Sequence, residues 1–279
     1  MSLIQETRRI LRAYGISPKK RLGQNFVIDA DLLDRMVSYA QIRGDEAVLE
    51  IGAGLGFLTR LLADRCRKVI AVELDPKLTR ILRDHLSAFE NITVLQGDIL
   101  KLPVPPFSKV VSSPPYSISS PIVYWLIERN FECDVLIFQK EFADRLVAQP
   151  DSEDYGSLTV FTYYRADVDL LEPAPRSAFW PQPSVDSVIV RLKPKKPPFQ
   201  LKDERIFLEL VRALFTQRNR KVRSAIKLFL KKLKLSDGEI KEWSEMIPFI
   251  NRRTRELTPE DFGVMANEVA DKMRQKDLL

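Results

Sequence analysis

The chain has 279 residues, of which 45% are hydrophobic and 29% are charged, and its net charge is +6. This composition is typical of a globular chain with one large and one smaller domain, and no apolar run approaches the roughly 20 residues of a membrane span. One histidine and two isolated cysteines leave little material for a Ser-His-Asp hydrolase, a disulfide framework or a metal site, so we expect a cytoplasmic protein without a metal.

Short β-branched segments alternate with helical patterns between residues 46 and 139. The alternation predicts parallel strands joined by right-handed crossovers, which is an α/β doubly wound sheet. The predicted strands cover 47–52, 68–74, 92–98, 109–113 and 134–139. Beyond a helix at 140–149, two longer segments at 157–173 and 184–194 predict an antiparallel hairpin that extends the sheet.

The C-terminal part follows a Pro/Lys linker and has a helical pattern without strands, so we place two domains at 1–195 and 196–279. Thr258 and Pro259 predict the start of a last helix. Between Arg212 and Lys234 there are nine Lys or Arg and no Asp or Glu, which favours a nucleic-acid-binding surface. The strongest candidates for this contact are Arg218, Arg220, Lys221, Arg223 and Lys227, and Lys19, Lys20 and Arg21 extend the charged track.

A glycine-rich turn, Gly52-Ala53-Gly54-Leu55-Gly56, follows the first strand of the predicted sheet. Such a turn lets the backbone approach a ligand closely, although dinucleotide enzymes use a related pattern. Glu73 and Asp98 end the next two strands, where carboxylates can accept hydrogen bonds from ribose hydroxyls and an adenine amino group. The set predicts an adenosine-bearing cofactor and resembles the class I pattern for S-adenosyl-L-methionine more than the NAD pattern.

Ser113-Pro114-Pro115-Tyr116 follows the fourth strand and resembles the (N/D/S)-x-P-(Y/F/W) loop of amino methyltransferases. An exocyclic amine is a poor nucleophile, so a side-chain acceptor and a backbone carbonyl at Pro114 can take its two protons in hydrogen bonds. Tyr116 supplies a stacking face for an extruded base. Phe179, which we expect to be exposed between prolines, is a second candidate for stacking on the base.

Several blocks of the sequence together resemble the ribosomal RNA adenine dimethyltransferase family, and details of 119–131 resemble its archaeal members. The blocks are R-L-G-Q-N-F at 21–26, Y-x-I-S-S-P at 116–121, A-F-x-P-x-P at 178–183, V-D-S at 185–187 and F-x-Q-R-N-x-K at 215–221. The family dimethylates two adjacent adenines near the 3′ end of small-subunit rRNA and acts in subunit biogenesis.

This resemblance implies a class I methyltransferase fold with a small helical RNA-binding domain, acting as a monomer on the immature small ribosomal subunit. By resemblance, the target amino group and base would meet Ser113, Pro114, Tyr116 and Phe179. The residues expected at the cofactor are Gln24, Asn25, Val27, Gly52, Gly54, Glu73, Leu74, Asp98, Ile99 and Ser113.

One departure from the family pattern leaves other functions open. Most members have Asn where this chain has Ser113, whose shorter side chain must orient a hydroxyl lone pair. A ribosome-assembly factor with weak catalysis is therefore one alternative. Others are a DNA cytosine-N4 methyltransferase, which shares the Ser-Pro-Pro-Tyr loop, and a 23S rRNA methyltransferase.

Overall fold

The computed structural model describes residues 1–233 and 235–276, and the chain forms two compact units. The first comprises Met1–Ala143 and Asp167–Pro194, and the second comprises Asp144–Ala166 and the chain from Lys195 onward. The chain enters the second unit for the last time after Pro194, next to the predicted domain boundary at residue 195. The segment Asp144–Ala166 lies in the second unit, although the sequence predicts it to belong to the first domain, 1–195. None of the described helices is long and apolar enough to cross a membrane.

Seven strands form one sheet in the order β4-β3-β2-β5-β6-β9-β7, and β1 pairs with β8 in a separate two-stranded sheet. Neighbours from β4 to β6 run parallel, and β9 is antiparallel to β6. The strand order reverses between β2 and β5, which creates the switch point where open α/β sheets bind ligands. The strands are β1 (Phe26–Val27), β2 (Ala47–Ile51), β3 (Lys68–Glu73), β4 (Ile92–Gln96), β5 (Lys109–Ser112), β6 (Cys133–Gln139), β7 (Ala166–Ala174), β8 (Phe179–Trp180) and β9 (Ser187–Pro194).

Several helices begin at polar caps, and the cap that the sequence predicts at Thr258 is one of them. Asp29 accepts a hydrogen bond from the Leu32 amide at 3.0 Å, and Thr258 accepts one from the Asp261 amide at 3.2 Å. The helices are α1 (Leu3–Ala13), α2 (Ala30–Ala40), α3 (Phe57–Ala63), α4 (Pro76–His85), α5 (Ser119–Ile127), α6 (Lys140–Leu146), α7 (Ser157–Arg165), α8 (Glu204–Phe215), α9 (Val222–Ala225), α10 (Lys227–Lys232), α11 (Asp237–Met246) and α12 (Pro259–Gln275).

The prediction of one long strand at 157–173 is wrong in its first half, which is α7. Its β-branched and aromatic composition favours a strand, but that preference depends on context. Phe161 and Tyr164, three residues apart on one helical face, contact the ring of Phe207 in α8, with centroids 6.1 and 5.2 Å away. This packing within the second unit explains both the helix and the membership of Asp144–Ala166 in that unit.

The basic segment of the second unit is amphipathic, as predicted, but it is not one helix. The loop 216–221 separates α8 from α9, and Ile226 alone lies between α9 and α10. Most apolar side chains beyond this loop are buried, although Leu228 is 40% exposed, and the cations Arg220, Lys221, Arg223 and Lys227 are exposed. Lys234, the last cation of the predicted segment, lies outside the described residues.

Candidate active site and nucleic-acid interface

Ser112 joins strands β2 and β5 at the switch point. Its buried hydroxyl donates to the Ile51 carbonyl at 2.5 Å and accepts from the Ile51 amide at 3.2 Å. Gly52 and Ser113 are the next residues of the two strands, so they emerge side by side at the carboxyl edge of the sheet. The role of Ser112 in joining the two strands could not be predicted from the sequence, because the amino methyltransferase motif begins only at the next residue, Ser113.

Two adjoining cavities open at this edge within the first unit. Eight of the ten residues predicted for the cofactor line one or both cavities, and Asp98 and Ile99 do not. The eight are Gln24, Asn25, Val27, Gly52, Gly54, Glu73, Leu74 and Ser113.

The glycine turn has a conformation and a packing that strongly favour glycine. Gly52 and Gly54 have φ angles of 76° and 59°, in the left-handed region. A Cβ atom at Gly52 would lie 3.0 Å from Cδ of Pro115, and one at Gly54 would lie 3.2 Å from the ring of Phe26. The backbone therefore forms a close cradle along both cavities.

Glu73 ends β3 with a side chain that is fixed by the backbone around it. Its two carboxylate oxygens accept from the amides of Gly54 at 2.9 Å and Asp75 at 2.8 Å, and the residue is 7% exposed. Burial raises the pKa of Glu73, although these backbone hydrogen bonds act in the opposite direction. Each oxygen keeps a further lone pair for a hydroxyl donor, and Leu74, 52% exposed, offers an apolar surface beside it.

Glu50, two residues before the glycine turn, also lines the first cavity. Its carboxyl group accepts from the Thr59 hydroxyl at 2.6 Å. Burial, with a smaller contribution from the charge of Glu73, raises the pKa of Glu50 to about 8. With this pKa the Glu50 side chain is protonated at neutral pH, and a cation in the cavity would favour its ionised form.

Asp75 links the N-terminal loop to the strand that carries Glu73. Its side chain, with no exposed surface, accepts from Lys19 Nζ at 2.6 Å, Gln24 Nε2 at 3.1 Å and the Lys77 amide at 3.0 Å. Burial would raise the pKa of Asp75, but these hydrogen bonds outweigh it and hold the pKa below its usual value. Gln24 and Lys19 therefore position the loop, and Lys19 does not belong to a free charged track.

Asp98 and Ile99 lie just beyond β4, at the same edge of the sheet as Glu73. The amide of Gly97 donates to the Glu73 carbonyl at 2.9 Å, which joins the ends of the two strands. Asp98 accepts from the Leu100 amide at 3.1 Å and is 37% exposed, whereas Ile99 is buried. The carboxylate thus lies at the same edge of the sheet, outside the residues that line the two cavities.

The loop after β5 places Ser113 on both cavities and buries Pro114. Within the described chain, the Ser113 hydroxyl has no hydrogen-bond partner. Tyr116 starts a short 3₁₀ turn and is half-buried, with its hydroxyl 2.7 Å from Oγ of Ser187. The loop therefore carries a free acceptor at one end and a fixed ring at the other.

The prediction that Phe179 is exposed is wrong. Its side chain is 1% exposed and belongs to the core of the first unit. Strand β8 pairs with β1, where Phe179 lies opposite Val27, and this pairing turns the ring inward. As placed, Phe179 supports the strand that holds Val27 and presents no ring face to a base, while the next residue, Trp180, is partly exposed.

Comparisons with known proteins agree with this geometry. The family model of the ribosomal RNA adenine dimethylases matches residues 15–246. The chain belongs to this family. It is therefore an S-adenosyl-L-methionine-dependent enzyme that acts on adenine in ribosomal RNA, as the sequence predicts.

Relatives and solved structures extend this match over most of the chain. A probable ribosomal RNA small subunit methyltransferase A of Methanosarcina mazei is 46% identical and covers 95% of this chain and 97% of its own. A corresponding protein of Thermococcus kodakarensis is 41% identical, with 90% of each chain covered. A dimethyladenosine transferase structure from Plasmodium falciparum has a TM-score of 0.76 at 28% identity, covering 90% of this chain and 98% of that one. The 23S rRNA methyltransferase ErmE has a TM-score of 0.63 at 30% identity, covering 88% and 100%. The class I methyltransferase fold is confirmed.

Among the five cations predicted to contact RNA, Arg218 has a structural role in the second unit. Its guanidinium donates to the carbonyls of Glu153 at 2.6 Å and Ser152 at 2.8 Å, so it holds the loop before α7. Carbonyls supplied by a segment 65 residues away could not be read from the basic pattern. The guanidinium is thus committed within the second unit.

The other four cations are exposed, and a second basic segment lies beside them. The amide of Thr254 donates to the Arg220 carbonyl at 3.1 Å, and Lys221 forms a β-bridge with Arg253. Arg253 Nη1 donates to the Asn219 carbonyl at 2.5 Å, and half of its side chain remains exposed. Arg253 could not be predicted from the basic pattern because 32 residues separate it from Lys221.

Proposed function

We propose that this chain dimethylates two adjacent adenines near the 3′ end of small-subunit rRNA, acting as a monomer on the immature subunit during its biogenesis. The observation that carries the proposal is the placement of the unpartnered Ser113 hydroxyl beside Gly52, on both cavities at the switch point. Its location in the cytoplasm stays a prediction.

The residues around the cavities fit S-adenosyl-L-methionine. The glycine cradle admits a ligand against the backbone of Gly52 and Gly54, where a Cβ atom would be crowded. Glu73 would accept from the ribose hydroxyls and Asp98 from the adenine amino group at the rim. Asn25, the Val27 backbone and Glu50 would hold the cationic methionine end. When bound, this cofactor supplies a methyl group activated by its sulfonium charge.

The loop residues would prepare the target amine. The Ser113 hydroxyl and the Pro114 carbonyl would each accept one N6 proton in a hydrogen bond, which turns the nitrogen lone pair toward the methyl group. The two prolines keep this geometry fixed before binding, so less orientational entropy is lost on the way to the transition state. Stacking on Tyr116 would contribute about 1–3 kcal/mol, comparable to the cost of extruding an unpaired base.

RNA would be held by the exposed cations of the second unit. Arg220, Lys221, Arg223, Lys227 and Arg253 can neutralise backbone phosphates without reading the bases. Arg218 takes part indirectly, because it holds the loop on which Arg220 and Lys221 stand.

A second candidate is an assembly factor that binds the immature subunit and methylates weakly. The observation that favours it is Ser113, which replaces the longer Asn of most family members. Binding and slow methylation can coexist in one chain, so the rate of transfer distinguishes the two candidates.

The test is methylation of undermethylated small subunits, with 23S rRNA and duplex DNA as comparison substrates and mass analysis of the nucleosides. N6,N6-dimethyladenosine from small subunits alone is the expected product. We expect Ser113→Ala to slow one or both methyl additions by about tenfold, since it removes one hydrogen bond to the amine. Tight subunit binding without transfer would favour the assembly factor, and N4-methylcytosine in DNA would overturn the substrate assignment.

A further inference from the structure

Ser187 is a buried serine whose hydroxyl reaches the catalytic loop. It is the first residue of β9, has no exposed surface, and lies opposite Gln139 of β6 in the sheet. Its Oγ is 2.7 Å from the hydroxyl of Tyr116, and either group can donate. A fully buried polar side chain needs such a partner, so the pair is favoured as long as both hydroxyls are present.

The contact fixes the direction of the Tyr116 ring. The phenolic oxygen lies on the long axis of the ring, so a hydrogen bond to it fixes the direction of this axis. A rotation of the ring by half a turn about the axis gives an equivalent ring surface. At the other end of the residue, the Ser119 hydroxyl donates to the Tyr116 carbonyl at 3.0 Å. Tyr116 is therefore held at its backbone and at the tip of its side chain.

Ser187 can hold the ring because its own position is set by the sheet. The carbonyl of Asp186 accepts from the Lys140 amide at 3.0 Å, which extends the pairing of β9 with β6 by one residue. The carboxylate of Asp186 accepts from the Arg176 amide at 3.3 Å and lies 3.5 Å from the guanidinium of Arg176. The loop that leads into Ser187 is thus fixed on two sides.

We propose that Ser187 is a positioning residue for methyl transfer, which holds the Tyr116 ring in the orientation that receives the target base. The inference rests on the proposed function, because the ring matters only if a base stacks on it. Ser187 touches neither the cofactor cavities nor the target amine, and its effect passes through the Tyr116 hydroxyl.

The hydroxyl pair serves orientation and not proton transfer. Burial raises the pKa of Tyr116, opposed by the hydrogen bond with Ser187, so the phenol is protonated at neutral pH. Removal of the Ser187 hydroxyl leaves it protonated. The pH dependence of the transfer rate should therefore be the same in wild type and in Ser187→Ala, while the rate itself falls.

A double-mutant cycle tests this inference. Single-turnover methylation of small subunits at saturating S-adenosyl-L-methionine is measured for wild type, Ser187→Ala, Tyr116→Phe and the double variant. Each single variant should slow transfer by about three- to tenfold, in line with the net worth of one hydrogen bond. The double variant should be no slower than Tyr116→Phe, and cofactor affinity should be unchanged in all four.

Two controls separate positioning from folding. Ser244→Ala removes another buried serine, whose hydroxyl donates to the Lys241 carbonyl at 2.8 Å in the second unit, and should leave the transfer rate unchanged. Ser187→Cys keeps a side-chain donor, although a weaker and larger one, and should give an intermediate rate; it replaces Ser187→Ala in the test if that variant does not fold. If Ser187→Ala slows transfer as much in the Tyr116→Phe background as in wild type, the inference is overturned while the proposed function stands. A wild-type protein that does not methylate small subunits overturns both.

Discussion

The cavities of the first unit and the basic surface of the second differ in how their side chains are held. Around the cavities, Glu73 and Asp75 accept five hydrogen bonds between them and are almost fully buried. On the basic surface, Lys221, Arg223 and Lys227 are exposed and have no ion-pair partner among the described residues. A small ligand of defined shape favours fixed groups, whereas a phosphate backbone is attracted by charges that can adjust.

Glu73→Gln is the strongest test of the fixed site. The amide would turn a donor toward one of the two backbone amides from which Glu73 now accepts, so we expect S-adenosyl-L-methionine to bind about ten- to a hundredfold more weakly. Isothermal titration of the cofactor measures this change. Glu90→Gln, at an exposed position, is the matched control, and an unchanged affinity in Glu73→Gln would remove Glu73 from the site.

Neutralising the basic surface should affect RNA and not the cofactor. In the triple variant Lys221→Gln, Arg223→Gln, Lys227→Gln, the slope of log affinity against log salt should fall by about two to three, close to one for each phosphate that is no longer neutralised. Filter binding of small-subunit rRNA over a salt series measures the slope. Arg205→Gln, which removes a cation paired with Asp203 in the same unit, should leave it unchanged.

Asp134 adds a second difference between the two units, because it should make the stability of the first unit depend on pH, whereas RNA binding by the second should depend on salt. The residue has no exposed surface, and its oxygens have no hydrogen-bond partner of good geometry in the described chain. Burial, opposed to a smaller extent by the Val110 backbone, raises its pKa well above the usual value. The folded state holds this proton more tightly than the unfolded state. Stability from this group is therefore present at low pH and is lost as pH rises above the unfolded pKa of about 3.9.

Asp134→Asn should remove that loss. The gain in the free energy of unfolding over wild type should grow with pH from about pH 4, by at most about 1.4 kcal/mol per pH unit. Urea unfolding at several pH values measures it, with the exposed Asp64→Asn as control. A gain that does not vary with pH would show that Asp134 is ionised in the folded protein.

Lys19→Met should have the smallest effect, because its ion pair with Asp75 is partly exposed and Gln24 and Lys77 still donate to that carboxylate. We expect cofactor affinity to fall about two- to fivefold, the range of a modest ion pair. Lys20→Met, at the exposed neighbouring position, is the control in the same titration. Equal losses in both variants would mean that general charge, and not the Asp75 link, matters.

The sequence predicted what local patterns encode and missed what distant segments supply. The glycine turn, the acids that end β3 and β4, and the cap at Thr258 are read directly from neighbouring residues. The inward turn of Phe179 depends on pairing with Val27, more than 150 residues earlier. The helical conformation of residues 157–165 depends on Phe207, and the structural role of Arg218 depends on the carbonyls of Ser152 and Glu153. In each case a long-range contact overrides a local preference.

The close contact between Gly52 and Pro115 has a consequence for how the enzyme can evolve. A side chain at position 52 is crowded by the proline at position 115, since its Cβ atom would lie 3.0 Å from the proline ring and the ring would have to shift. Position 52 lines both cavities, and position 115 belongs to the loop that we propose receives the substrate. Pro115 can be replaced while Gly52 stays, whereas a side chain at position 52 also requires room at position 115. A lineage is therefore expected to change the loop before it changes the turn at this position.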